Sequence, residues 1–196
     1  MTTKYVAFLR AINVGGHTVR MEALRALFES MGAENVETFI ASGNVIFDAG
    51  AGDPARLEQK LETGLEDGLG FPAATFLRTL PELAKILTFR AFPQVEIAAA
   101  AGFYVGFLKS APTKAARDAV AAASTSSHRF RVHGRELYWL RMNRDEEFTG
   151  PKTEKALGPT TVRSITTVRK IAMKYGGAAG AEKKKPTSGR RWGRPA

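Results

Sequence analysis

The first apolar run, residues 5–10, is rich in β-formers and predicts a strand. Its two alternating sets, Tyr5/Ala7/Leu9 and Val6/Phe8, are both apolar. A sheet with one wet face alternates apolar and polar, so this strand is expected to be covered on both sides. Residues 11–18 break the pattern with Asn13, Gly15 and Gly16, which is loop chemistry. Met21, Leu24, Leu27, Phe28 and Met31 then recur at helical spacing, with Glu22, Arg25 and Glu29 opposite and Gly32 as the stop. Val36, Thr38 and Ile40 predict a strand, Ser42-Gly43-Asn44 a tight turn, and residues 45–47 the returning strand. Pro54 opens a helix carrying Leu57, Leu61 and Leu65, ended by Gly68 and Gly70, and residues 75–78 predict a short strand.

The order strand-helix-strand-strand-helix-strand is the split βαβ plan of ferredoxin-like domains. The second half reads as a looser copy. Pro81 begins a helix with Leu83, Ile86 and Leu87, and residues 103–108 predict a strand that is apolar on both faces. An alanine-rich helix spans 112–123. Residues 129–132 and 137–141 flank His133-Gly134 as a hairpin. A short helix covers 152–157, and Val162, Ile165, Val168 and Ile171 mark a final helix. The expected fold is α+β: two packed ferredoxin-like (split βαβ) lobes with antiparallel sheets, residues 1–80 and 81–175, plus a disordered basic C-terminal tail, 176–196.

Composition narrows the chemistry. The 196 residues contain no cysteine, which excludes disulfides, thiolate metal sites and thiol nucleophiles, and only three histidines. The longest uncharged stretch, residues 97–108, is too short for a membrane span of about 18–20 residues, and the first residues carry no export pattern. A cytoplasmic protein with no membrane partner is expected. The formal charge of +10 is uneven: residues 1–100 are net −3, residues 101–175 net +8 and residues 176–196 net +5. The tail holds Trp192 as its one large apolar residue and cannot offset its ordering entropy. Its charge makes non-specific nucleic acid a candidate partner.

Topology then points to a site. In a split βαβ plan the loop after the first strand and the turn between the second and third strands share one end of the sheet. Arg10, Asn13, Gly15 and Gly16 are therefore expected beside Ser42, Gly43 and Asn44. The first set leads into a helix N-terminus, which favours anions, and Arg10 suits a carboxylate or phosphate. The plainer reading has Gly15 and Gly16 only turning the chain and Asn44 only serving the hairpin. No nucleotide-binding fingerprint is present, and no cofactor is expected.

These same residues carry a family resemblance. Residues 10–16 (Arg-Ala-Ile-Asn-Val-Gly-Gly), the following helix and residues 40–45 (Ile-Ala-Ser-Gly-Asn-Val) resemble the bacterial family catalogued as domain of unknown function 1697. The likeness resumes at Glu154-Lys155, Leu157-Gly158, Thr161, Arg163, Thr167-Val168 and Lys170, and spans about residues 1–175. It implies ferredoxin-like halves and no particular reaction. Ala11 stands where the family has Gly, and Ala41 where it has Gln. Residues 163–167 lack that family's aromatic and two amides but keep Arg163, which joins the candidate ligand residues.

Other motifs carry less. Residues 145–147 (Asp-Glu-Glu) read as a solvated loop, His128 and His133 as surface residues, and His17 and Glu22 as the only acid–base candidates near the glycine loop. The aromatic run at residues 102–107 reads as core rather than as an RNA-stacking strand. Arg129 and Arg131 share a strand face, near Arg135 and Tyr138 or Trp139. Lys152, Lys155, Arg163, Arg169, Lys170 and Lys174 form a second basic group, so Arg129, Arg131, Lys170 and Lys174 are the nucleic-acid candidates. The leading expectation is a non-catalytic protein that binds an anionic ligand at the edge formed by Arg10, Asn13, Gly15, Gly16, Ser42, Asn44 and Arg163. A small enzyme acting on a phosphorylated or carboxylated metabolite between the lobes and a ligand-free structural adaptor are the alternatives.

Overall fold

The computed structural model describes residues 2–13, 18–40, 43–144 and 150–177. Gly15, Gly16, His17, Ser42, residues 145–147 and most of the expected tail lie outside the described residues. The first half runs β1 (Thr2–Leu9), α1 (Met21–Ser30), β2 (Glu34–Thr38), β3 (Asn44–Gly50), α2 (Pro54–Leu69) and β4 (Thr75–Thr79). Its sheet is antiparallel throughout, in the order β2-β3-β1-β4. Two helices, α3 (Leu80–Thr88) and α4 (Gln94–Ala99), lead to the second half. That half comprises β5 (Gly102–Phe107), α5 (Lys114–Ala122), β6 (His128–His133), β7 (Glu136–Arg141), α6 (Gly150–Leu157) and β8 (Thr161–Ser164). Its sheet repeats the first, β6-β7-β5-β8, and α7 (Ile165–Tyr175) follows. No helix among the described residues is long and apolar enough to cross a membrane.

Local chemistry sets these boundaries. The Asp53 carboxylate accepts from the Ala55 N–H at 3.0 Å, and Pro54 opens α2. Gly70, at φ 77°, closes α2, while Gly68 lies inside the helix against Leu27. Val162 belongs to a four-residue strand rather than to the last helix. Ser164 ends that strand and caps α7 by accepting from the Thr167 N–H at 3.1 Å. A spacing of three cannot separate so short a strand from the helix after it. The strands of the second sheet run from β5 to β8, and α3 and α7 each follow the last strand of a sheet.

Both faces of β1 are buried. Tyr5, Ala7 and Leu9 join Val45, Phe47 and Leu77 beneath α1 and α2. Val6, Phe8, Ile46 and Phe76 face the second sheet's Val105, Phe107 and Tyr138, with Leu83 and Ile86 of α3 and Val168 and Ile171 of α7 completing that core. Phe8 and Phe107 stack at 3.9 Å with planes 9° apart. Trp139, Phe130, Leu137 and Val120 form the third layer. His128, expected at the surface, is 5% exposed in that layer and accepts the Trp139 indole N–H at 3.1 Å through Nδ1. A hydrogen bond to an indole allows an imidazole to be buried.

Strand registers make the two halves equivalent. Arg78 lies opposite Val6 on β1, and Arg163 lies opposite Val105 on β5. Each arginine donates to the carbonyl before it, Leu77 and Val162 respectively. Each then crosses to the other half: Arg78 to the Leu108 and Arg135 carbonyls, Arg163 to those of Leu9 and Gly43. Each guanidinium lies over the other half's phenylalanine, at 5.4 Å from Phe107 and 5.8 Å from Phe8. Reciprocal contacts of this kind define an isologous interface, here within one chain. A third cation, Lys109, reaches across to the Thr75 carbonyl and to Glu58 and Glu62. Those two carboxylates also accept the Leu77 and Thr75 N–H groups, blocking the β4 edge against another strand.

The start of α3 supplies a pH test. Burial pushes the Glu82 carboxyl up, but bonds from the Thr79 backbone and hydroxyl and from Arg135 outweigh it, holding the pKa below its ordinary 4.5. A carboxyl depressed in the fold contributes stability above its unfolded pKa and loses it as pH falls through the folded value. Glu82→Gln is expected to lower the urea midpoint at pH 7, and the difference is expected to close as pH falls below the ordinary carboxylate range and through the depressed folded value.

Candidate functional site

The loop after β1 and the β2–β3 turn lie side by side. The Leu9 N–H donates to the Gly43 carbonyl at 2.7 Å, and Arg163 binds both segments. Gly43 has φ 70°, and a Cβ there would stand 3.2 Å from that of Leu9, so a side chain would be both strained and crowded. Asn44 is fully buried. Its amide donates to the Phe39 carbonyl at 2.9 Å, and its Oδ1 accepts from Arg163 Nε at 2.6 Å. Arg163 Nη1 serves the Thr161 hydroxyl and the Val162 carbonyl. The guanidinium thus directs every N–H into the protein, and burial pushes its pKa down to about 10, still a cation at neutral pH. Asn13 Oδ1 accepts the Val19 N–H at 2.9 Å ahead of α1, and Arg10 pairs with Glu154 of α6 at 2.7 Å. Of the described residues expected to hold a ligand, Asn44 and Arg163 bond to each other, Arg10 and Arg163 reach the opposite half, and Asn13 bonds within its own half; these contacts are to the protein.

The equivalent edge around Arg78 is organised alike, with one change of charge. Glu136 occupies the register position that Asn44 holds in the first half, and its carboxylate accepts from Arg78 Nε at 2.8 Å. Arg78 is completely buried, and desolvation lowers its pKa against the opposing pull of Glu136. Nothing in the sequence pattern marks Arg78, because a buried cation on an edge strand reads like a solvent-facing one.

A different surface gathers cations without consuming them in this way. A groove of about 1260 Å³ lies between the α3–α4 connection, β6 and the first turns of α7. Arg90, Arg129, Arg131 and Arg169 line it, and among the described residues Glu96 is the one carboxylate lining it, 3.6 Å from Arg129. Phe89, Phe92, Phe103 and Phe130 form apolar wall. Arg129 and Arg131 are exposed and alternate with buried residues on β6, an edge strand, which aims both from one face. Next on that face is His133, exposed and stacked on Phe89 at 4.0 Å with planes 11° apart.

Register comparison shows what is unusual there. Arg131 lies opposite Tyr138, and its counterpart in the first half is Glu37, opposite Ile46. Glu37 accepts from Lys174 at 3.0 Å and from the Tyr175 hydroxyl at 2.8 Å. Those two bonds from α7, with the Lys174 charge, hold the Glu37 carboxyl below its ordinary range. One end of the molecule thus closes on an ion pair between its edge strand and α7, whereas the other gathers Arg90, Arg129, Arg131 and Arg169 around a groove that also holds the Arg129–Glu96 pair.

Of the four basic residues expected to meet nucleic acid, Arg129 and Arg131 lie in this groove. Lys174 is paired at the opposite end, and Lys170 is exposed on α7 beside Arg169. Sequence reasoning passed over Arg90, whose only local signal is its place between Phe89 and Phe92 just before Pro93. Glu22, an acid–base candidate, lies in the first turn of α1, where the helix dipole favours a carboxylate. Among the described residues no group of three or more His, Asp or Glu side chains is placed to hold a metal ion.

Comparison with known proteins agrees with the fold. The described structure is similar to that of a conserved bacterial protein, SP0830, from Streptococcus pneumoniae, with a TM-score of 0.68 at 24% identity, covering 89% of this chain and 98% of that one. Identity at that level shows the fold alone. No curated protein matches. A family model described as "Protein of unknown function (DUF1697)" matches residues 1–138, which takes in Arg10, Asn13 and Asn44 and stops before Glu154 and Arg163. On that match, covering well over half of its length, the chain belongs to the DUF1697 family of proteins of unknown function.

Proposed function

We propose that this protein binds a phosphate-bearing anion, and that the arginine groove is where it does so. One observation carries the reading: among the described residues four arginines and one carboxylate line one groove, where the equivalent end of the molecule is neutralised by an ion pair. Guanidinium groups bind phosphate oxygens in pairs of parallel hydrogen bonds, and the groove's apolar floor weakens competition from water. The Arg10/Asn44/Arg163 edge then has a different task, holding the two halves in the arrangement that shapes the groove. On this reading the halves are split βαβ lobes of the ferredoxin-like type, residues 1–80 and 81–175, in a cytoplasmic protein. The strand order of both sheets supports the lobe assignment.

The test is calorimetric titration of tripolyphosphate into the full chain at low salt. Binding is expected, weakening as sodium chloride is raised, because charge–charge attraction at an exposed site is screened. Absence of binding at low salt overturns the proposal.

A further inference from the structure

We infer that the anion taken by the groove is a single-stranded nucleic acid, with its backbone on Arg129 and Arg131 and a base on the His133–Phe89 stack; this rests on the anion-binding reading above. Three features of the β6 face carry it. First, Arg129 and Arg131 are two residues apart on a strand, so their Cα atoms are about 6.7 Å apart, close to the repeat between successive phosphates of an extended single strand. A compact phosphate ester needs no such repeat. Second, the next residue on that face, His133, is exposed, and Phe89 lies flat beneath its ring. An imidazole held rigid by a ring behind it is a stacking surface for a base, and histidine is among the side chains that serve so for unpaired bases. Third, β6 is the edge of its sheet, and Arg90 and Arg169 line the same groove from the α3–α4 connection and from α7, so the positive charge extends beyond the β6 pair.

The row of arginines ending on a ring has both parts of a single-strand site, a positive track for the backbone and a flat ring for bases. A duplex offers its phosphates but keeps its bases stacked inside, so the His133–Phe89 platform distinguishes the two. Tripolyphosphate uses the track and not the platform.

Fluorescence anisotropy with the full chain tests this, using labelled 12-nucleotide oligo-dT and oligo-U, a duplex of mixed sequence, and tripolyphosphate as competitor. The single strands are expected to bind at least tenfold more tightly than the duplex. His133→Ala, at an exposed position, is expected to weaken oligo-dT by about fivefold or more while leaving tripolyphosphate unchanged. Arg129→Ala with Arg131→Ala is expected to reduce the slope of log K against log salt by about 1.4, two contacts at about 0.7 each. The basic residues 183–194 are present in every variant, so binding through them alone would leave both the slope and the His133→Ala result unchanged, and that outcome overturns the inference. Equal affinity for duplex and single strand also overturns it. If tripolyphosphate binds and the oligonucleotides bind no more tightly, the anion site stands and the nucleic-acid assignment falls; if neither binds, both fall.

Discussion

Arg78→Ala is expected to destabilise the protein by about 3–5 kcal/mol, the range for stranding one member of a buried ion pair. Three things are lost together. Glu136, 12% exposed at its side chain, keeps a carboxylate without its guanidinium. The Leu108 and Arg135 carbonyls lose a shared donor at 3.1 and 2.9 Å, and a fully buried cavity opens beside Phe107. Arg163→Ala removes the equivalent cross-link, yet its partner across the interface is the neutral amide of Asn44. The cost expected there is smaller, about 1–3 kcal/mol for unsatisfied polar groups without a stranded charge. Urea unfolding of the two variants side by side measures the difference. Equal losses would show that charge at the Asn44/Glu136 position does not set the strength of the staples. Arg78→Met combined with Glu136→Leu removes both charges and is expected to recover most of the loss, since apolar replacement of a whole buried pair is often close to neutral.

The largest functional effect is expected from reversing charge on β6. Arg129→Glu with Arg131→Glu replaces two donors of charge-assisted hydrogen bonds by two carboxylates on the same exposed face. Two such contacts, at about 1.5 kcal/mol each, correspond to about a 100-fold loss of affinity for tripolyphosphate, and the added repulsion deepens it. The substitutions lie on exposed positions, so the urea midpoint is expected to stay close to that of the unaltered protein. A loss of affinity that came with a collapse in stability would reflect unfolding and not the groove.

The sequence announces the first half of this molecule more fully than the second, for a physical reason. In residues 2–79 the helix boundaries are mostly marked locally: Pro54 and Asp53 before α2, Gly70 after it, Gly32 at φ 88° after α1. In the second half β8 is four residues long and runs into α7 without a break, so periodicity merged them, and α4 is a six-residue helix below the length at which a period is readable. The doubling of the plan was legible only as a loose copy, for another reason. Equivalence lies in register and backbone carbonyls, where Arg78 and Arg163 match, while the side chains around them, Glu136 against Asn44 and Arg131 against Glu37, have diverged in charge. That the loop after β1 and the β2–β3 turn share one end of the sheet was readable from topology, whereas Arg163 entered only through the family resemblance. That the hydrogen bonds of Asn44 and Arg163 are directed inward was not readable, because burial of a polar side chain depends on the partner half, over a hundred residues away in the chain. The groove mixes both cases: alternation placed Arg129 and Arg131 on one face, but Arg90 and Arg169 reach it from elements whose packing no local pattern fixes.

The most direct measurement sets the groove against the junction in one titration. Tripolyphosphate binding is compared among the unaltered full chain, Arg131→Ala and Arg10→Ala, each first shown to be folded. Arg131→Ala is expected to lose at least tenfold in affinity and Arg10→Ala, which breaks only the pair with Glu154, to bind as the unaltered chain does. If Arg10→Ala abolishes binding and Arg131→Ala leaves it intact, the ligand belongs to the loop edge and the groove is not the site.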